Sequence, residues 1–88
     1  MKHLICIYDL FDANQKIHVV DINAGTVQQV GTVLTADLSK TLAGLCSELE
    51  VDDIKIYGCK NGCEKLIKDI QEDLKIKYNK NNINIEVI

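Results

Sequence analysis

Cys59 and Cys63 enclose Lys60-Asn61-Gly62 at the point where an apolar run gives way to a helical pattern. A thiol at a strand-to-helix turn sits near the positive end of a helix dipole, which favours thiolate, and a neighbouring lysine adds to this. Those residue types at that spacing point to nucleophilic or redox chemistry, with a Cys59–Cys63 disulfide geometrically possible. The first chemical expectation is therefore a thiol-dependent redox protein or sensor using Cys59 and Cys63. The competing reading is structural. Cys63 falls on the apolar stripe of the following helix and Cys59 closes a strand, and free cysteine packs as a small hydrophobe. A zinc site at this pair would need a second pair of ligands, and His3 and His18 are far from it in sequence. Cys6 and Cys46 lie in apolar strings and read as core. With no secretion signal, four cysteines do not make a disulfide framework.

The other charged residues suggest less. Asp52-Asp53 reads as a solvated loop before a strand. Asp69 and Asp73 share a helix face at i, i+4, a spacing that could hold a cation but more often faces solvent. Lys65, Lys68, Lys75, Lys77 and Lys80 form no single-face stripe. The net charge of −3 argues against a wide electrostatic footprint on nucleic acid. At 88 residues the chain is one domain, 1–88, and 47% hydrophobic residues suffice for a core. The N-terminal apolar run is short and meets Asp9 at once, and no segment approaches the roughly 20 apolar residues of a membrane span. The chain reads as cytoplasmic with no membrane partner.

The elements that would position these residues follow from periodicity. Leu4 to Tyr8 is continuously apolar, as in a central strand covered on both faces. Asp9 to Lys16 carries turn-forming Asp and Asn. Ile17 to Ile22 is a second strand, Asn23-Ala24-Gly25 a tight turn, and Thr26 to Leu34 a third strand with a candidate bulge at Gly31. Leu38, Leu42, Leu45, Cys46 and Leu49 mark one stripe of an amphipathic helix, with Thr35 or Asp37 as N-cap. Within it, Gly44 suggests close approach to the sheet. Ile54 to Tyr57 is a fourth strand ended by Gly58. A second helix runs from about Asn61 to Tyr78 with Cys63, Leu66, Ile67, Ile70 and Leu74 on one face and Glu64–Lys68 as an exposed pair. Asn79-Lys80-Asn81-Asn82 ends it, and Ile83 to Ile88 alternates like an edge strand. The order β-β-β-α-β-α-β implies an antiparallel meander followed by right-handed parallel crossovers, in two or three layers. An exposed fifth strand invites a homodimer through its edge.

This element order, with Ile7-Tyr8-Asp9, Val19-Val20-Asp21, Ala24-Gly25-Thr26-Val27, Val30-Gly31-Thr32-Val33 and Ile54-Lys55-Ile56-Tyr57-Gly58, resembles the ribonuclease H-like superfamily and its Holliday-junction resolvase-like domains. The resemblance implies a mixed five-stranded sheet of order 3-2-1-4-5. It also implies a nuclease site in which Asp9 holds a divalent metal such as Mg or Mn, with Glu48 as a substitute carboxylate. Such chemistry needs several acids around two ions. Leu10-Phe11 stands where the family has a glycine, and Gly58-Cys59-Lys60-Asn61 where the fourth strand closes on an acid. The sequence ends at the fifth strand, before the helix that carries the family's last carboxylates. The stretch Ile54 to Ile88 is also similar to the opening of thioredoxin-like proteins and of sugar-transport IIB domains. The leading functional expectation is a small non-catalytic ribonuclease H-like module that binds a protein or a nucleic acid. A thiol protein using Cys59 and Cys63, or a residual metal-dependent nuclease centred on Asp9, are the alternatives.

Overall fold

The computed structural model describes residues 2–9 and 11–88. Leu10, half of the Leu10-Phe11 pair at the family's glycine position, lies outside them. The strands are β1 (Lys2–Ile7), β2 (Asn14–Asp21), β3 (Thr26–Leu34), β4 (Asp53–Tyr57) and β5 (Asn84–Val87). The helices are α1 (Leu38–Glu48), preceded by a 3-10 turn over Thr35–Asp37, and α2 (Cys63–Tyr78). The five strands form one mixed sheet in the order β3-β2-β1-β4-β5. β1 pairs antiparallel with β2 and parallel with β4, and β5 joins β4 in parallel.

The register aligns one apolar row across the sheet. Leu4 stands opposite Val19 and Ile54, Cys6 opposite Ile17 and Ile56, and Ile85 and Val87 extend the row onto β5. Against it pack Leu38, Leu42, Ala43 and Cys46 of α1 and Ile70 and Leu74 of α2, in one continuous core. Both helices touch each other and this same face, so the domain has two layers. The expectation that β1 is covered on both faces is corrected here. β1 is central, yet Ile5 is half-buried and Ile7 is 46% exposed on the face that carries no helix.

Local chemistry shifts several boundaries. β2 starts at Asn14 rather than Ile17 because Gln15, two residues before Ile17, shares its inward face and is buried. The ladder register shifts opposite Ile17 and His18, which skips Val30 and sets the bulge beside Gly31, as the sequence suggested. Gly25 closes the β2–β3 turn at φ 66°, and Asp21 Oδ1 accepts the Asn23 and Ala24 amides there. Neither Thr35 nor Asp37 caps α1 through its side chain. Thr35 is used elsewhere, its hydroxyl donating to Ala13 O at 2.9 Å. Gly44 approaches α2 rather than the sheet, since a Cβ there would lie 3.4 Å from Tyr78 Oη. The helix α2 begins at Cys63, two residues later than expected, behind Gly62 at φ 77°. Its ion pair is Asp73–Lys77 at 4.0 Å, and Asn79 ends it in the left-handed region.

Candidate functional site at the carboxyl ends of the central strands

β1 and β4 run in parallel and finish side by side, with Tyr8 N–H donating to Tyr57 O at 2.7 Å. In open α/β sheets the carboxyl ends of the strands are where ligands bind. Here they carry a shallow depression of about 350 Å³ lined by Ile7, Tyr8, Asp9, Phe11, Gly58 and Lys60. Phe11 is 99% exposed at its rim. Gly58 has φ +83°, and a Cβ on it would overlap Tyr8 O. Only glycine lets the two segments meet so closely.

Asp9 is exposed on the loop after β1. Its Oδ1 accepts the Phe11 amide at 2.9 Å, an Asx turn. Asp12 repeats the device on Asn14 N–H. Gln15 fixes both turns. Its Oε1 accepts from Asp9 N–H at 2.9 Å, and its Nε2 lies 3.2 Å from Asp9 O, 3.0 Å from Asp12 O and 3.3 Å from Thr35 Oγ1. This residue was missed in the sequence, where Asn14-Gln15-Lys16 reads as polar turn. Its even spacing from Ile17 and Val19 was the signal that would have found it.

Glu48 does not join Asp9. It is exposed at the end of α1, and the residues after it, Val51 and Asp52, donate to Cys46 O and Lys2 O. That is the opposite end of β1, roughly 20 Å away along a strand of this length. Asp21 faces Lys2 at that same far end. Among the described residues no group of three or more His, Cys, Asp or Glu is arranged to hold a metal ion. A two-metal site, which the resemblance implies, does not fit Asp9 and Asp12, each already engaged with a backbone amide.

The cysteine pair is brought together, but not in the state the helix terminus suggested. Cys59 is 8% exposed, and burial, with the neighbouring Cys63 thiol, pushes its pKa up to about 11. Cys6 lies beside it in the core and is pushed up to about 12, chiefly by burial. The Cys63 thiol donates to Cys59 O at 2.9 Å, and Cys59 Sγ lies 3.6 Å from Asn61 O. Loss of water outweighs the dipole because Cys59 precedes the helix by a full loop and faces the apolar layer. All four cysteines are free thiols.

The uncovered face of the sheet holds the remaining polar groups. His3 Nδ1 lies 2.8 Å from Asp53 Oδ2. That Nδ1 is buried and has no formed hydrogen bond. His18 stands opposite Ile5, and its Nε2 is shielded from solvent without a partner. Lys55 Nζ lies 3.7 Å from Glu86 Oε2. No helix among the described residues is long and apolar enough to cross a membrane.

A sheet of order β3-β2-β1-β4-β5 with both helices on one face defines an α/β domain of ribonuclease H-like type. Two solved structures share the architecture. One is a Bacteroides thetaiotaomicron protein with an actin-like ATPase fold and unknown function, at a TM-score of 0.64 and 11% identity, over 99% of this chain and 32% of that one. The other is the fowlpox virus Holliday junction resolvase, at a TM-score of 0.50 and 15% identity, over 97% of this chain and 61% of that one. This chain therefore spans about a third of the first and about three fifths of the second. No family model matches the sequence, and no curated protein does.

Proposed function

We propose that the chain is a non-catalytic binding module of the ribonuclease H-like, resolvase-related kind, and that it binds a protein across the uncovered face of its sheet. One observation carries this reading. β1 has the unbroken apolar sequence of a strand covered twice, while helices cover it once. Ile5, Ile7 and Tyr57 are left at the middle of the open face. Lys16 stands beside Ile7 on the β2 side, and Lys55, Asp53 and Glu86 lie on the β4–β5 side, a mixed polar surround for an apolar patch, as protein interfaces have. A net charge of −3 disfavours nucleic acid as that partner. The absence of a three-ligand cluster around Asp9 among the described residues, and the raised pKa of the Cys59 thiol, weigh against the nuclease and thiol readings.

The test has two arms. Hydrogen exchange on the chain with its bound partner is expected to show new protection at β1 and β4, and Ile7→Lys is expected to abolish binding while leaving the thermal melt unchanged. Protection confined to α1 and α2 would sink the reading. In the second arm, branched and hybrid nucleic acids with Mn²⁺ are expected to remain intact. Cleavage lost on Asp9→Asn would restore the nuclease instead.

A further inference from the structure

We infer that β3 is a self-association edge: two copies pair β3 antiparallel about a two-fold axis through Gln28, joining their sheets into one. This goes beyond the binding module proposed above and uses a different surface. β3 is an outer strand nine residues long, and Thr26 to Leu34 contains no charged residue and no proline. Val27 is 69% exposed, Val30 39% and Leu34 54%. Edge strands are normally protected by charges, proline, brevity or a bulge, and on β3 the one such feature, the bulge, lies at Val30–Gly31, beyond Thr26–Gln29. β5, the other edge, has that protection. It is four residues long and carries Glu86, which pairs with Lys55. The sequence pointed to β5 for a second copy, but the physical features favour β3.

A second copy is the occupant that fits. A free strand edge is self-complementary, because its outward N–H and C=O groups alternate and an antiparallel copy meets each with its opposite. A strand bearing charge would repel itself in that arrangement, and β3 has none. The bulge then excludes registers that span it. Across an antiparallel pair, facing residues must lie on the same side of the sheet. Val27 and Gln29 share the open side, opposite Val20 and His18, and Gln28 lies on the helix side opposite Val19. Pairing Gln28 with Gln28 sets Val27 against Gln29 in both directions, both on the open side. Centring on Val30 would set Val27 against Val33, on opposite sides, because the bulge shifts the alternation. The paired segment is thus centred on Val27–Gln29. An interface this small sits at the low end of specific contacts, so the dimer is weak, micromolar or weaker.

Sedimentation of the purified chain from about 10 µM to about 1 mM is expected to show a monomer–dimer equilibrium. Gln28→Lys and Gln28→Glu each place like charges directly across the axis and are expected to weaken the dimer at least about tenfold. An equimolar mixture of the two variants is expected to recover it, since the ammonium introduced in one copy then faces the carboxylate introduced in the other. Residue 28 is exposed, so both variants are expected to melt as the parent does. A parent that stays monomeric throughout, single variants that associate like the parent, or a mixture that associates no better than its components would each overturn the assignment.

Discussion

Gln15 shows how one side chain can hold a loop that the sheet alone would leave loose. It is 1% exposed and meets the loop backbone at both ends of its amide, as well as Thr35. Removing it leaves part-buried donors and acceptors of the loop without partners and opens a gap at a buried position, and an unsatisfied group costs about 1–3 kcal/mol. Gln15→Ala is therefore expected to lower stability by about 2–3 kcal/mol, read as a shift in the urea midpoint with unchanged slope. Hydrogen exchange at the Asp9 amide is expected to accelerate in the same variant. The thiols give a second expectation at this scale. Cys59 and Cys6 titrate in the folded chain at about 11 and about 12, above the ordinary thiol value of 9.0. Well below pH 9 both thiols are protonated folded and unfolded, and ionisation favours neither state. Above it the unfolded chain loses protons first, so stability falls as pH rises from about 9 toward about 12. Urea titrations at pH 8 and pH 10 should show the midpoint drop, and a Cys59→Ala, Cys6→Ala double variant should show a smaller one. At neutral pH the Cys59 thiol is expected to react with maleimide far more slowly than an exposed thiol.

Two glycines with opposite roles define what the elements require. Gly44 lies inside α1, where glycine costs about 1 kcal/mol relative to alanine. A Cβ there meets only the hydroxyl of Tyr78, at 3.4 Å. Gly44→Ala is expected to raise stability by about 0.5–1 kcal/mol. Gly58 is the converse, with a left-handed backbone and a Cβ that would overlap Tyr8 O. Gly58→Ala is expected to cost about 2–4 kcal/mol. Thermal melts of the two variants should move in opposite directions. The sequence marked both glycines but could not rank them. Helical periodicity placed Gly44 on α1, yet its neighbour depends on how α1 crosses α2. Gly58 was legible as a strand terminator, while the contact that makes it irreplaceable comes from Tyr8, just past β1 and distant in sequence. The meander, the bulge and both apolar stripes were legible because alternation and helical spacing are local. The start of β2 was not, because Gln15 is polar and its burial is justified only by a loop folded over it.

The same limit decides what the whole molecule reveals of its function. Asp9 and the Cys59–Cys63 pair were legible as candidates from residue type, but their chemical state depends on what converges on them. Glu48 reaches the other end of β1, and the apolar layer closes over Cys59. What remains is a sheet with one finished face and one unfinished face. That asymmetry has a measurable consequence for stability. Leu4 is fully buried and Ile7 is 46% exposed, though both belong to the same apolar run on β1. If the core lies on one side only, truncating Leu4 leaves a cavity under both helices, and Leu4→Ala is expected to cost about 2–5 kcal/mol. Ile7→Thr keeps the β-branched shape the strand favours and removes little buried area, so its cost is expected to stay within about 0.5 kcal/mol. Equilibrium unfolding of the two variants, alone and with a bound partner, separates the two faces. In the free chain Ile7→Thr should be nearly silent. With a partner seated on the open face, the extra stability conferred by binding should shrink in that variant, because Ile7 then lies at an interface rather than in solvent. An Ile7→Thr variant as damaging as Leu4→Ala in the free chain would mean that the open face already packs against something within the domain, and the two-layer description would have to give way.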